Sequence, residues 1–344
     1  MSCKRLAQSG LIVSNPEILW HAGEPLTLPV EFYDNAFGAI KDELHGLTIE
    51  HAMQTNAMLI EEPWIQLFRR WDVSVGVSLD GPPHVHDRCR VTRSGGSTSG
   101  RVLAGIGKLK HAGLKLKVIC VLTRDSINKP EELFEFFESL GVDHVAFNID
   151  EAEGPFLRSS HEYADCLPTF RRFLRRYFEL VIANKSQQSV RELIRGLTYV
   201  FKADIASSYE TVPIRVLTIG HNGDFGTFSP EIFGQHHKDF GRLVFGNVHD
   251  VDVFETLESD PRLIGALQSI QRGIKSCAQT CSYYNICKGG LPSSKLGEHG
   301  TFEATETVAC KFKRQAVADA VVDLLIDGQL QYCESSQTVT AAEP

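Results

Sequence analysis

Between about Ile18 and Ile149, short apolar runs alternate with longer segments of helical periodicity. The short runs are EILWHAG, TIEHAMQTN, VSVGVSLD, KLKVICVLT and DHVAFNI. Each is apolar and β-branched, the pattern of strands buried on both faces. The segments between them are PVEFYDNAFGAIKDEL, EPWIQLFRRW, GRVLAGIGKLKHAG and KPEELFEFFESLG. These repeat apolar residues at i, i+3 and i+4, as amphipathic helices do. Pro29, Pro63 and Pro130 lie at or near helix starts, and Gly113 and Gly141 at helix ends. Five strands joined by four helices predict a βα repeat with parallel strands and right-handed crossovers, an α/β fold.

Polar residues gather where each strand gives way to its loop: HAGEP, QTN, SLDG, LTRDS and NIDE. In βα folds that end of the sheet carries the active site, so five polar ends together predict a binding surface there. After Gly154 the pattern changes. HEYADCLPTFRRFLRRYFELVIANK and VRELIRGLTYVFKADIA read as two helices. From about Val216 the chain is turn-rich, through TIGHNGDFGTFSPEIFG and FGNVHDVD to a cysteine segment. A last amphipathic helix runs through FKRQAVADAVVDLLIDG, and the polar tail SSQTVTAAEP predicts disorder.

Composition narrows the function classes. The chain has 344 residues, room for one large domain and a smaller one. Its hydrophobic fraction of 42% and charged fraction of 23% are those of a soluble protein. A net charge of −8 argues against non-specific binding to nucleic acid or anionic membrane. The basic run RRFLRRYF, Arg171 to Phe178, reads as one solvated face of a helix. No apolar run approaches a membrane span, and the first residues lack the order of a secretory signal. A cytoplasmic location follows as an expectation, and thiols there stay reduced.

Nine cysteines then change the picture. Cys277, Cys281 and Cys287 are spaced C-x3-C-x5-C, so that a short loop could aim three thiolates at one point. Cys310 lies far enough along to return from a separate turn and close a four-ligand shell. Four thiolates suit either a tetrahedral Zn2+ or an iron–sulfur cluster, and the looser spacing leans toward the cluster. The bland alternative is a set of buried free cysteines.

WHAGEPLTLPVEFYDNAF, QTNAMLI, GVSLDGPPHVHDRCRVTRSG and CAQTCSYYNICKGGLPSSKLGEHGTFEATETVAC occur in this order. Together they resemble the radical S-adenosylmethionine (SAM) enzymes with a C-terminal SPASM-type domain. The subgroup resembled is the peptide maturases of glycine-rich-repeat precursors, the cyclophane-forming type. The resemblance runs from about Ser9 to Leu325. It implies a partial (β/α)6 TIM-like barrel over residues 1–155, lacking its first strand. A helical connection over 156–215, a SPASM-like domain over 216–335 and a disordered tail over 336–344 would follow.

The resemblance also implies site residues. Gly23 and Glu24 would contact the SAM amino group, mostly through backbone, and Asn56 would line the same pocket. Ser78 and Arg90 would hold the ribose and the carboxylate; a guanidinium fork matches a carboxylate. Cys277, Cys281, Cys287 and Cys310 match an auxiliary [4Fe-4S] cluster. Implied partners are a ribosomal precursor peptide and an electron donor such as flavodoxin or ferredoxin. The implied reaction is hydrogen abstraction from a side chain by a 5′-deoxyadenosyl radical. As local alternatives, Glu24 suits a helix start, Asp80-Gly81 a turn, and Ser78 and Asn56 ordinary caps. His21 reads as a packed or solvent-bonded histidine.

Three departures from the family pattern stand out. Relatives carry a C-x3-C-x2-C loop after the first barrel strand, upstream of GEP; here Cys3 stands alone upstream. Reductive cleavage of SAM needs that cluster. Either Met1 is an internal methionine and the gene runs upstream, the favoured account, or the chain is a non-catalytic paralogue binding metal and peptide or SAM. Second, Phe228 and Leu291 stand where relatives with two auxiliary clusters have cysteines, so one auxiliary cluster is expected. Third, Ser229 stands where some relatives place an aspartate, which leaves Glu231 and Asp224 as candidates to deprotonate a substrate radical. For Asp224 a turn role in NGDFG is the competing expectation.

Overall fold

A computed structural model describes residues 15–150, 160, 165–202, 208–212, 215–333 and 338–341. Cys3 and the 155/156 boundary lie outside the described residues. The chain divides into two compact units. One runs up to Asn148 and takes in Arg176–Arg191; the other comprises Ile149–Arg175 and the chain from Glu192 on.

The first unit is the βα repeat. In chain order it holds β1 (Glu17–Trp20), α1 (Val30–Glu43), β2 (Glu50–Thr55), α2 (Glu62–Arg70) and β3 (Ser74–Ser78). Then come α3 (Pro83–His86), α4 (Ser99–His111), β4 (Lys117–Leu122), α5 (Pro130–Leu140) and β5 (His144–Ile149). Helix α6 (Cys166–Ala183) leads back to β6 (Ser189–Val190). The six strands form one sheet in sequential order, parallel where β1–β2, β2–β3, β3–β4 and β5–β6 pair. All five expected strands are present, and α5 ends on Gly141 in the left-handed conformation only glycine adopts freely.

The strands are not buried on both faces, as expected, but alternate. His51, Met53, Thr55, Val75, Val77, Val118, Cys120 and Leu122 are buried, whereas Gln54, Ser74, Gly76, Ser78 and Lys117 are half-buried. Helices pack on the buried face: Phe37 of α1 stacks on His51 at 4.1 Å, and Tyr177 of α6 meets Phe147 at 4.8 Å. The other face mixes polar and small side chains with half-buried Ile119 and Val121, so it is not a second oily layer.

The second unit begins with α7 (Arg191–Phe201), whose first residue closes the first unit. Strands β7 (Leu217–Ile219), β8 (Asp224–Thr227) and β11 (Gly246–Asn247) form an antiparallel sheet, and β9 (His236–His237) pairs with β10 (Gly241–Arg242). Helices α8 (Val253–Ser259), α9 (Pro261–Thr280), α10 (Tyr284–Cys287) and α11 (Pro292–His299) follow. The last long helix starts as α12 (Val308–Cys310), passes through a π-helical stretch, Lys311–Ala316, and continues as α13 (Val317–Ile326). Where a disordered tail was expected, β13 (Thr338–Ala341) pairs antiparallel with β12 (Leu330–Cys333).

The basic run of α6 lies on the exposed side of the helix, as expected, and is charge-paired there. Arg171 pairs with Asp319 at 3.2 Å and Asp323 at 2.5 Å, and Arg175 with Asp327 at 2.5 Å. Arg176 pairs with Glu131 at 2.7 Å. These carboxylates neutralise the run locally, which removes it as a polyanion patch.

Candidate functional site

Three loops at the carboxyl ends of β1, β2 and β3 are tied together by side chains. Glu24 Oε1 accepts the Leu26 N–H at 3.1 Å and the Thr55 hydroxyl at 2.6 Å, while Oε2 accepts the Asn56 N–H at 2.8 Å. Thr55 Oγ1 in turn accepts the Ala57 N–H at 3.0 Å, and Asn56 Oδ1 the Met58 N–H at 3.0 Å. Gln54 Nε2 donates to Ser78 Oγ at 3.0 Å. Tyr33 of α1 braces the first loop from below, donating to the Pro25 carbonyl at 2.9 Å.

The backbone bends sharply at the same places. Ala22, Gly23 and Ala57 have φ of +73°, +63° and +61°. Left-handed alanines cost about 1–3 kcal/mol and persist only when surrounding bonds over-determine them, a pattern concentrated at ligand sites. The Glu24 carbonyl is already engaged, accepting Thr27 N–H at 3.2 Å and the Thr27 hydroxyl at 2.7 Å. The Gly23 backbone groups have no partner among the described residues. Of the two residues expected to meet the SAM amine, Gly23 therefore has backbone to offer, while Glu24 shapes the loop. Asn56 and Ser78 are half-buried, and His21 is exposed.

Arg90 is held by a carboxylate of the protein itself. Its Nε and Nη2 donate to Asp80 at 2.5 and 3.1 Å, leaving Nη1 toward any further anion. Asp80 is 6% exposed and also accepts the Val121 N–H at 2.9 Å. It thus links the loop after β3 to β4, a larger role than the turn expected of Asp80-Gly81. Buried His86 accepts the Asp80 N–H at 3.2 Å, and burial pushes its imidazole pKa down. Thr98 Oγ1 lies 3.2 Å from His86 Nε2 and donates to the Arg90 carbonyl at 2.6 Å. Asp87 accepts from Thr98 N, Ser99 N and the Ser99 hydroxyl at the start of α4; the Ser99 bond leads in holding its carboxyl well below the usual range.

In the second unit the four cysteines sit at helix ends, not in the expected loop. Cys277 lies in the last turn of α9, and Cys281 closes that helix, its N–H on the Cys277 carbonyl at 2.9 Å. Cys287 ends α10. Cys310 stands in the first turn of the last helix, where Thr307 caps its N–H at 2.9 Å and donates its own N–H to the Cys310 sulfur at 3.3 Å. All four line one cavity, with Tyr283, Gly290 and Glu306. All are free thiols. Burial pushes the Cys277 and Cys310 thiols up.

Among the described residues, no three His, Cys, Asp or Glu side chains are gathered tightly enough to share one metal ion. A single Zn2+, at about 2.3 Å from each sulfur, would draw its ligands to within about 3.8 Å of each other. Four cysteines around one cavity are a donor set that could hold a cluster. The donor set is all cysteine, the usual ligand set of iron–sulfur clusters.

The two acid candidates differ in setting. Asp224 accepts from Asn247 Nδ2 at 3.2 Å and lies 3.6 Å from Arg242; the Asn222 and Asn247 bonds hold its carboxyl below the usual range. It braces β8 against β11. Glu231 is exposed and takes a hydrogen bond from buried Ser229. Sequence reasoning missed Glu210. That carboxylate is 4% exposed and accepts both the N–H and the hydroxyl of Ser293, at 3.3 and 2.7 Å. Burial first, and the Glu231 charge with it, raise its pKa to about 7. Phe228, at a cysteine position of two-cluster relatives, is buried with φ of +76°.

Comparison with known proteins agrees with this architecture. Residues 5–137 match the model of the radical SAM superfamily. An uncharacterised protein of Synechocystis is 35% identical over 325 residues, covering 92% of this chain and 81% of the relative. A serine-type anaerobic sulfatase-maturating enzyme of Bacteroides thetaiotaomicron is 24% identical over 307 residues, covering 86% and 74%. Among solved structures, native anSMEcpe with bound AdoMet and Cp18Cys peptide superposes with a TM-score of 0.76 at 18% identity, covering 95% and 88%. Streptococcus suis SuiB bound to its precursor peptide SuiA gives 0.60 at 18% identity, covering 90% and 69%. At such identities the structural likeness speaks for the fold. No described helix is long and apolar enough to cross a membrane. With residues 5–137 matching that superfamily's model, and a relative 35% identical matched over 92% of this chain and 81% of its own length, the chain belongs to the radical SAM superfamily of enzymes.

Proposed function

We propose that the chain is a maturase of a ribosomally made precursor peptide, with SAM at the carboxyl ends of β1–β3 and an auxiliary [4Fe-4S] cluster on Cys277, Cys281, Cys287 and Cys310. The observation that carries this reading is that four cysteines from three helix ends line one cavity. A peptide substrate is supported by the sulfatase-maturating relatives and by the fold shared with SuiB, which was captured with its precursor peptide. When bound, SAM and the iron–sulfur clusters would supply one-electron chemistry directed at the peptide.

The chain's own groups take the following parts. Gly23 backbone and Asn56 receive the amino end of SAM, and Ser78 meets the ribose. Arg90 offers Nη1 to the carboxylate while Asp80 fixes the plane of its fork. Glu231, coupled to buried Glu210, is the proton acceptor of choice, because Asp224 is committed to its hairpin. A flavodoxin or ferredoxin is the proposed electron donor, and the cytoplasm the proposed location.

The test begins with the in-frame DNA upstream of Met1, where a C-x3-C-x2-C run is expected. The polypeptide read from that frame, reconstituted anaerobically with iron and sulfide, should release 5′-deoxyadenosine from SAM. With its precursor peptide it should remove two hydrogens per crosslink formed, read by mass spectrometry. Peptide and SAM binding without either product would establish the non-catalytic alternative.

A further inference from the structure

Lysine is almost never fully buried unless its amine has a partner. Lys295 of α11 is 2% exposed, and its Nζ lies 3.4 Å from Cys277 Sγ. No other hydrogen bond or ion pair engages that amine among the described residues. The fold makes room for it at two glycines. A Cβ on Gly273 of α9 would come to 2.2 Å from the Phe302 carbonyl oxygen and 3.1 Å from Lys295 Nζ. A Cβ on Gly290 would sit 3.6 Å from Lys295 Cε, and that residue needs its φ of +79°. Cys277 Sγ also lies within donating range of the Thr305 and Gly289 carbonyls, at 3.5 and 3.8 Å. Those carbonyls give the sulfur a proton acceptor; Lys295 is the cation beside it.

We infer that Lys295 is a positioning residue of the sulfur cofactor, whose N–H bond and positive charge on Cys277 raise the reduction potential of the auxiliary cluster. The inference rests on the reading of the four cysteines as cluster ligands. Potentials of such clusters are set by net charge, by hydrogen bonds to the sulfurs and by exposure. A reduced cluster carries one more negative charge, so a buried donor cation favours it over the oxidised form.

The experiment compares wild type, K295M and K295Q with K275M, which alters an exposed lysine of α9. Each full chain is reconstituted anaerobically, assayed for iron and sulfide, and titrated against redox dyes with electron paramagnetic resonance detection. The expected result is equal iron in wild type and variants. The reduced-to-oxidised ratio at fixed potential should fall at least tenfold in K295M, about 59 mV for a one-electron couple. K295Q keeps N–H donors without the charge and should fall in between, and K275M should match wild type. K295Q also serves if K295M does not fold. A change of less than twofold in whichever Lys295 variant carries full iron overturns the inference. Wild type that takes up no iron and sulfide overturns the cluster reading itself, a separate outcome seen without any variant.

Discussion

The Glu24 carboxylate accepts the backbone N–H of Asn56 at 2.8 Å, joining the loop after β1 to the loop after β2. Its other oxygen takes Thr55 and Leu26, so all three contacts are donors pointing at a carboxylate. In Glu24→Gln the amide nitrogen must face one of those donors. A buried donor left without an acceptor costs about 1–3 kcal/mol. We expect a lower melting temperature and SAM binding weakened about tenfold or more, read by equilibrium dialysis. Unchanged SAM affinity in a folded Glu24→Gln would dissociate this loop from the cofactor.

Asp80 and Arg90 form the second support. Removing the carboxylate in Asp80→Ala strands the Val121 N–H and frees the guanidinium to wander. The expected destabilisation is about 2–4 kcal/mol, since a partly buried charge loses its partner. Arg90→Lys replaces a fork by a point charge and cannot reach Asp80 with two parallel bonds. It should bind SAM less tightly while staying closer to wild type in urea denaturation than Asp80→Ala. Equal stability losses in both variants would contradict this division of labour.

Much of this framework was legible in the chain. Strands β1 to β5 are short β-branched runs closed by turn residues, and each lies inside its expected segment. Strand β6 escaped notice because two residues, Ser189 and Val190, carry no periodicity. Helix α9 was open to detection and missed. Asp260 caps it, Pro261 begins it, and Leu263, Ala266, Ile270, Gly273 and Cys277 recur along one buried face. The cysteine spacing drew attention away from that pattern. Lys295 with Cys277, and Glu210 with Ser293, could not be read at all. Partners 18 and 83 residues apart leave no local signature, and the lysine sits in an ordinary polar helix segment.

Gly105 of α4 marks a close approach beneath the site. A Cβ there would stand 2.1 Å from the Ala57 carbonyl oxygen, a backbone atom of the turn that carries Asn56. Gly105→Ala should therefore cost about 1–3 kcal/mol through overpacking and weaken SAM binding by moving that turn. Gly107, on the same helix, meets nothing within 4 Å. Gly107→Ala should stabilise the protein by about 0.5–1 kcal/mol. Chemical denaturation of the pair separates helix propensity from the steric clash; stabilisation by both would show that the turn yields freely.

The four cavity cysteines should behave as one unit. Single changes to alanine at Cys277, Cys281, Cys287 or Cys310 should each lower bound iron and sulfide after anaerobic reconstitution. Chelation of the loaded wild type should lower its melting temperature, because metal binding free energy is also folding free energy. Cys120→Ala is the control. That cysteine is fully buried in β4, so its loss costs about 1 kcal/mol of packing and leaves the iron content intact. Iron retained in all four cavity variants would mean that the metal binds elsewhere.

Glu210 gives the second unit a pH dependence of defined sign. Its folded pKa is raised to about 7 from the ordinary 4.5, so between those values the folded protein holds a proton that the unfolded chain has released. Stability then falls as pH rises through that window and levels off above it. The penalty at high pH is on the order of 3 kcal/mol, at about 1.4 kcal/mol for each pKa unit. Glu210→Gln keeps an acceptor for Ser293 and never ionises. It should match wild type near pH 4.5 and exceed it increasingly up to pH 8, in melting temperatures taken across the series. Glu231→Gln removes the nearby negative charge that helps raise the Glu210 pKa, so the fall should be smaller and level off at lower pH. A wild-type-minus-variant difference that stays flat from pH 5 to 8 would show that Glu210 is already ionised in the fold.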